Sequence, residues 1–196
     1  MKPTRRSITV DDDEGKSLAI ADGPTPDIRT DPARPGYVSE RIWVAPSSPH
    51  RIGAFHDTVK APHTIEPPRG GSVCRIVTFP PDDTFRGKVG AAEVQAFFAA
   101  MGSPQASTWS PGAPHPYVQK TRTLDFCLVL EGEITLVLDT AEVHLKAGDT
   151  VVQRGTNHSW SNRSDKPCRV AFSLHDARRN AALFKGRTQY FCLPER

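Results

Sequence analysis

From Tyr117 to His175 apolar and polar side chains alternate in short runs separated by glycine turns, the period-two signature of half-buried strands. The runs predict strands over Tyr117–Leu130, Glu133–Asp139, Glu142–Leu145, Thr150–Gln153, His158–Asn162 and Cys168–His175. Turn chemistry separates them at Glu131-Gly132-Glu133, Lys146-Ala147-Gly148-Asp149 and Arg154-Gly155-Thr156-Asn157. Ser72–Phe79 is a further strand, stopped by Pro80-Pro81. A single segment switches to the helical period. Val94, Phe97, Phe98 and Met101 fall at i, i+3, i+4 and i+7, predicting a helix over Ala91–Met101 that ends at Gly102. That stripe reads as core packing. Many short strands joined by glycine turns predict an all-β fold, one jelly-roll β-barrel with one or two short helices.

The first 71 residues have a different texture. Short alternating segments (Arg6–Val10, Lys16–Ala21, Arg41–Ala45) sit among Asp22-Gly23-Pro24, Asp31-Pro32 and Arg34-Pro35-Gly36. A stretch so broken by proline builds no core of its own and is expected to lie on the barrel or add strands to it. The expected layout is an N-terminal arm (1–71), the barrel (72–176) and a C-terminal tail (177–196). Ser103–Pro116 is a long proline-rich loop, the kind that serves as a lid or binding loop, with Trp109 as its lid residue.

Composition narrows the function classes. The 18 prolines and 14 glycines are about 16% of the 196 residues, above the ~12% typical of soluble chains, which favours strands and turns. Hydrophobic residues at 37% suit one core. The net charge is +3, and Arg5-Arg6 is soon followed by Asp11-Asp12-Asp13-Glu14. Only the tail (Arg178, Arg179, Lys185, Arg187, Arg196) is lopsided, so no nucleic-acid partner is expected. No apolar run approaches membrane-spanning length, and the N-terminus lacks an apolar signal region; the expected location is cytoplasmic, with no membrane partner. The four cysteines have no CxxC spacing, and those at 74, 127 and 168 read as buried free thiols in strands.

Side-chain alternation puts Gln119, Thr121, Thr123, Asp125, Cys127 and Val129 on one face of their strand. That face grades from polar to small and apolar, as a strand lining a barrel does between a wet mouth and a packed floor. Asp125 is then a carboxylate in a partly enclosed cavity, where a partner or a raised pKa is expected. The opposite row, Leu124, Phe126, Leu128 and Leu130, calls for a cover. Farther on, Gly155 feeds His158, Trp160 and Asn162 onto a shared face. An Asp and a His in one cavity can bind a metal, exchange protons with a ligand, or pair with each other. Trp160 could stack on a planar ligand or serve as core.

These residues resemble the two motifs of the cupin superfamily. Gln119-Lys120-Thr121 occupies the place of its His-x-His, Asp125 that of its Glu, and Gly132 that of the closing Gly; Gly148, Gly155, His158 and Asn162 follow its second motif. The resemblance covers about 117–175 and implies a single-domain cupin barrel that forms a homodimer. Cupin metal sites take three His and one Glu, whereas this chain offers Gln119, Thr121, Asp125 and His158, of which only His158 is retained outright. Amide and hydroxyl oxygens are poor ligands for Fe(II), Mn(II) or Zn(II). No cofactor is therefore expected with certainty, a divalent transition metal being held at most by His158, Asp125 and Gln119, with His115 and His144 as reserves.

The preferred expectation is an enzyme acting on a small molecule inside the barrel. Asp125 and His158 form its acid–base pair, and Gln119, Thr121, Thr123, Trp160, Asn162 and Trp109 bind substrate. Dehydration, cyclisation, isomerisation and decarboxylation all suit such a pair. The competing expectation is a metal-free cupin that binds or senses a small ligand without turnover, and a metal-dependent dioxygenase or isomerase is the third.

Overall fold

The computed structural model describes residues 2–53 and 55–178. Most of the predicted tail, including Arg179, Lys185, Arg187, Cys192 and Arg196, lies outside the described residues.

Among the described residues eleven strands and one α-helix follow in order, with three short 3-10 turns between them. Strands β1 (Arg5–Asp11), β2 (Ser17–Pro24), β3 (Asp27–Thr30), β4 (Val38–Ala45) and β5 (Ser72–Phe79) precede helix α1 (Ala91–Ala100). After it come β6 (Thr123–Glu131), β7 (Glu133–Leu138), β8 (Glu142–Lys146), β9 (Thr150–Gln153), β10 (His158–Ser161) and β11 (Cys168–Asp176). A six-stranded antiparallel sheet runs β3-β4-β5-β11-β6-β9, and a three-stranded sheet runs β10-β7-β8. Strands β1 and β2 pair as a separate hairpin. The two larger sheets close on one apolar core, since Trp160 of β10 packs edge-on against Phe172 of β11, ring centroids 5.4 Å apart. This is the expected all-β jelly-roll barrel.

The helical period holds as read: Val94, Phe97, Phe98 and Met101 are all buried, and Gly102 ends the helix at φ 62°. A Cβ there would stand 2.0 Å from the His63 carbonyl oxygen, so no other residue fits. Strands β3 and β4 extend the larger sheet beyond β5, with Arg41 opposite Arg75.

Two expectations change. Tyr117–Leu130 is not one strand: β6 starts at Thr123, and Gln119 instead exchanges backbone hydrogen bonds with His158 of β10 (2.8 and 2.9 Å). The chain switches sheets between the two, yet alternation survives the switch, and Thr121, Thr123, Asp125, Cys127 and Val129 are all buried. Cys74 is exposed, because it alternates with the inward Val73 and Arg75 on β5. Within the single chain the outer apolar row has no cover: Phe126 is 50% exposed, with Leu128 and Leu130 also exposed.

Candidate active site

Asp125 and His158 reach one cavity from opposite sheets. Asp125 sits mid-sheet on β6, paired with Leu174 of β11 on one side and Gln153 of β9 on the other. His158 opens β10, where the Gln119 bridge ties it to the edge of the other layer. Both side chains are 3% exposed. The cavity they line holds about 70 Å³ of free space, small beside the roughly 300–1,000 Å³ of drug-sized ligand pockets, and Phe79, Phe172, Met101 and Leu174 supply its apolar walls.

The surroundings act on the two groups in opposite senses. Burial pushes the Asp125 carboxyl from 3.8 up to about 6, against the pull of the Thr123 hydroxyl and the Arg75 guanidinium. Its Oδ1 has no hydrogen-bond partner. Burial also lowers the His158 pKa, opposed only by the Thr156 carbonyl, so the imidazole is held neutral. Its Nδ1 lies 3.0 Å from the Thr156 carbonyl oxygen, an acceptor, so Nδ1 carries the proton. Nε2 then carries the lone pair, 3.4 Å from the Gln119 amide nitrogen, which can donate to it. No hydrogen bond or ion pair joins Asp125 to His158 among the described residues, so the two are not each other's partners.

Of the other expected site residues, Gln119, Thr121 and Trp160 line the cavity. Thr121 is already engaged with the Thr123 hydroxyl at 2.7 Å, so Thr123 stands behind the wall rather than in it. Trp109 is not on the wall either. Its loop is pinned to the barrel by the Thr108–Val118 backbone bond and the Ser107–Gln119 bridge, and the indole packs half-buried on the core.

Asn162 also serves elsewhere. Strand β10 ends at Ser161, the alternation stops with it, and the Asn162 carboxamide donates to the carbonyls of Phe79 (2.9 Å) and Lys166 (2.8 Å). Its oxygen accepts from the Ser164 amide and hydroxyl, which closes the 162–167 turn. Asn162→Ala should therefore lower unfolding free energy in urea by about 3 kcal/mol, the cost of several buried groups left unpaired. Affinity for a cavity ligand, measured per folded molecule, should stay unchanged.

The donor set does not fit a cupin transition-metal ion. Gln119, Thr121, Asp125 and His158 provide one imidazole and one carboxylate; Thr121 is bonded to Thr123, and the Gln119 amide nitrogen faces His158. Among the described residues no three His, Cys, Asp or Glu side chains cluster to hold an ion. Such ions take three or four imidazole, thiolate or carboxylate donors. His115 is no reserve ligand, being buried with Nε2 3.7 Å from Asp82 and Nδ1 accepting from the Tyr117 amide. His144 is half exposed beside Glu133.

The cavity also takes residues that the sequence pattern did not assign to it, Arg34, Arg75 and Tyr117 among them. Arg75 was detectable, because it alternates with Val73, Val77 and Phe79 on the apolar face of β5. Arg34 and Tyr117 gave no such signal. Arg34 reaches the cavity from a loop, held by Asp31 at 2.7 Å and stacked 3.4 Å from the Tyr117 ring centroid.

Residues 107–174 match the family of the Cupin domain. Those residues, from the bridge at Ser107 into β11, are a cupin domain. A stretch of 48 residues is 56% identical to phomopsin biosynthesis cluster protein C' of Diaporthe leptostromiformis, covering 24% of this chain and 25% of that protein. The match thus spans about a quarter of that relative. A longer alignment, 178 residues at 28% identity, joins 87% of this chain to 71% of the cupin-domain-containing oxidoreductase fogC of Aspergillus ruber. The cupin domain of Schizosaccharomyces pombe Cnp3 overlays 90% of this chain and 89% of its own at a TM-score of 0.42 and 11% identity. No helix among the described residues is long and apolar enough to cross a membrane.

Proposed function

We propose that this cupin is an enzyme that moves a proton on a small carbonyl compound held inside the barrel. Asp125 in its acid form donates, and His158 Nε2 accepts. One observation carries the reading: two titratable groups lining one cavity have their pKa values pushed in opposite directions, the carboxyl toward its protonated form and the imidazole toward its free base. Such a divergence is what assigns an acid and a base in one site. The base removes a proton beside the carbonyl, the acid protonates the carbonyl oxygen, and an enol results. That step opens isomerisation, dehydration and cyclisation; in a decarboxylation the C–CO2 bond breaks in place of C–H, and the same acid protonates the carbonyl oxygen of the enol that forms. Each positioned proton transfer contributes roughly 10²–10⁴-fold. Relatives named as biosynthesis-cluster proteins and as oxidoreductases favour small-molecule chemistry in this fold.

The test is deuterium uptake from D2O at the carbon beside the carbonyl of small oxo acids, followed by NMR. The productive form needs Asp125 protonated. kcat/KM should therefore fall about tenfold per pH unit above about 6, where the carboxyl loses its proton. A rate that climbs through that range would assign the roles wrongly. Saturable binding with no uptake at any pH would leave a ligand-binding barrel instead.

A further inference from the structure

We infer that the guest of this cavity is a small organic monoanion, a carboxylate, whose charged end is taken by Arg75 with Arg34 and Tyr117 beside it. This deepens the proposed function and rests on Asp125 and His158 serving the same cavity.

Four arginines are buried among the described residues: Arg6, Arg34, Arg41 and Arg75. Three have a carboxylate of their own. Arg6 is bonded to Asp57 at 2.6 Å, Arg34 to Asp31 at 2.7 Å, and Arg41 to Asp27. Arg75 has none. It is 4% exposed on the inner face of β5, and its Nη2 donates only to the backbone carbonyls of Thr64 and Ile65. Its Nε has no partner. Burial lowers its pKa only to about 10, so it is charged at neutral pH. A buried charge is normally paired, and here the missing partner would come from the cavity that Arg75 lines.

The neighbouring polar atoms point the same way. Arg34 Nη2 and the Tyr117 hydroxyl also lie buried without a partner, and both residues line the cavity. The cavity therefore offers three unsatisfied donors against one unsatisfied acceptor, Asp125 Oδ1. An acceptor-rich guest satisfies that imbalance, and planar guanidinium donors suit a carboxylate. Asp31 already balances Arg34, and with Asp125 in the protonated form the proposed reaction uses, Arg75 is the uncompensated charge and a single negative charge is the match. The apolar walls take an organic body, and about 70 Å³ keeps it small.

Isothermal titration of the full chain with benzoate and 2-oxobutyrate, each against its neutral amide, tests this. The carboxylates should bind saturably, and the amides about 10- to 100-fold more weakly, the worth of hydrogen bonds to a charged group. Arg75→Met should lose the same factor for the carboxylates and little for the amides, while Arg75→Lys should retain part. Equal affinity of acid and amide for the unaltered protein overturns the inference without any variant. So does full carboxylate affinity in Arg75→Met, or no saturable binding of either acid. Carboxylate binding that depends on Arg75 but yields no deuterium uptake sinks the proposed function alone. Uptake into a neutral ketone unaffected by Arg75→Met sinks only the anion.

Discussion

Asp125→Asn should abolish proton transfer and make the protein more stable at the same time. The amide has the shape of the protonated acid but cannot release its proton to a developing oxyanion, so deuterium uptake should fall roughly 10²–10⁴-fold. The stability gain follows from the raised pKa. A carboxyl moved from 3.8 to about 6 binds its proton more tightly in the folded chain. The folded state is then favoured fully below about 4, and that contribution is lost as pH rises through about 6. At pH 8 the native barrel holds an ionised carboxylate in a poorly solvated cavity. At 1.36 kcal/mol per unit, the buried charge costs roughly 3 kcal/mol. The neutral amide removes it. Urea unfolding should show the variant more stable than wild type at pH 8 by about that amount, the gap closing toward pH 4. A variant less stable at pH 8, or one with wild-type uptake, would remove Asp125 from the site.

His158→Ala should leave a folded barrel with uptake reduced by a similar roughly 10²–10⁴-fold, partly restored by added imidazole. The fold should survive because the residue's structural duties are borne by its backbone: its amide and carbonyl pair with Gln119, and neither depends on the ring. The Thr156 carbonyl, which the ring engages through Nδ1, is also reached by the Gln153 amide, so it is not stranded. Rescue separates the roles. Imidazole entering the vacated space can restore a lone pair but cannot restore a packing defect. Uptake that stays at the wild-type level, or falls with no response to imidazole while the melting temperature collapses, would make His158 a structural residue.

Much of this was legible along the chain because it depends on local periodicity. A strand's alternation is set by the pleat, so burial of Asp125, Cys127 and Val129 on one face followed from their spacing, as did the helix stripe Val94, Phe97, Phe98 and Met101. The residue types at the positions of the cupin ligands, Gln119, Thr121, Asp125 and His158, carry the poor metal donor set in the sequence itself. Asn162 misled because alternation was carried past the end of β10, where the backbone turns and recruits the carboxamide as a clasp. Trp109 stays off the cavity because the backbone of its long loop is tied to the barrel on both sides, a non-local constraint that loop composition does not carry.

Side-chain order along β6 and β10 was enough to predict that an acid and an imidazole belong to one barrel interior, because neighbouring residues impose it through the pleat. How far the Asp125 carboxyl shifts, and that Arg34 and Arg75 both face the same cavity, required the assembled fold. The Asp125 shift comes from burial by strands and walls distant in sequence, and Arg34 and Arg75 reach the cavity from segments some 90 and 50 residues upstream of Asp125. Desolvation and Coulomb forces act through space, so no local pattern along the chain could encode them.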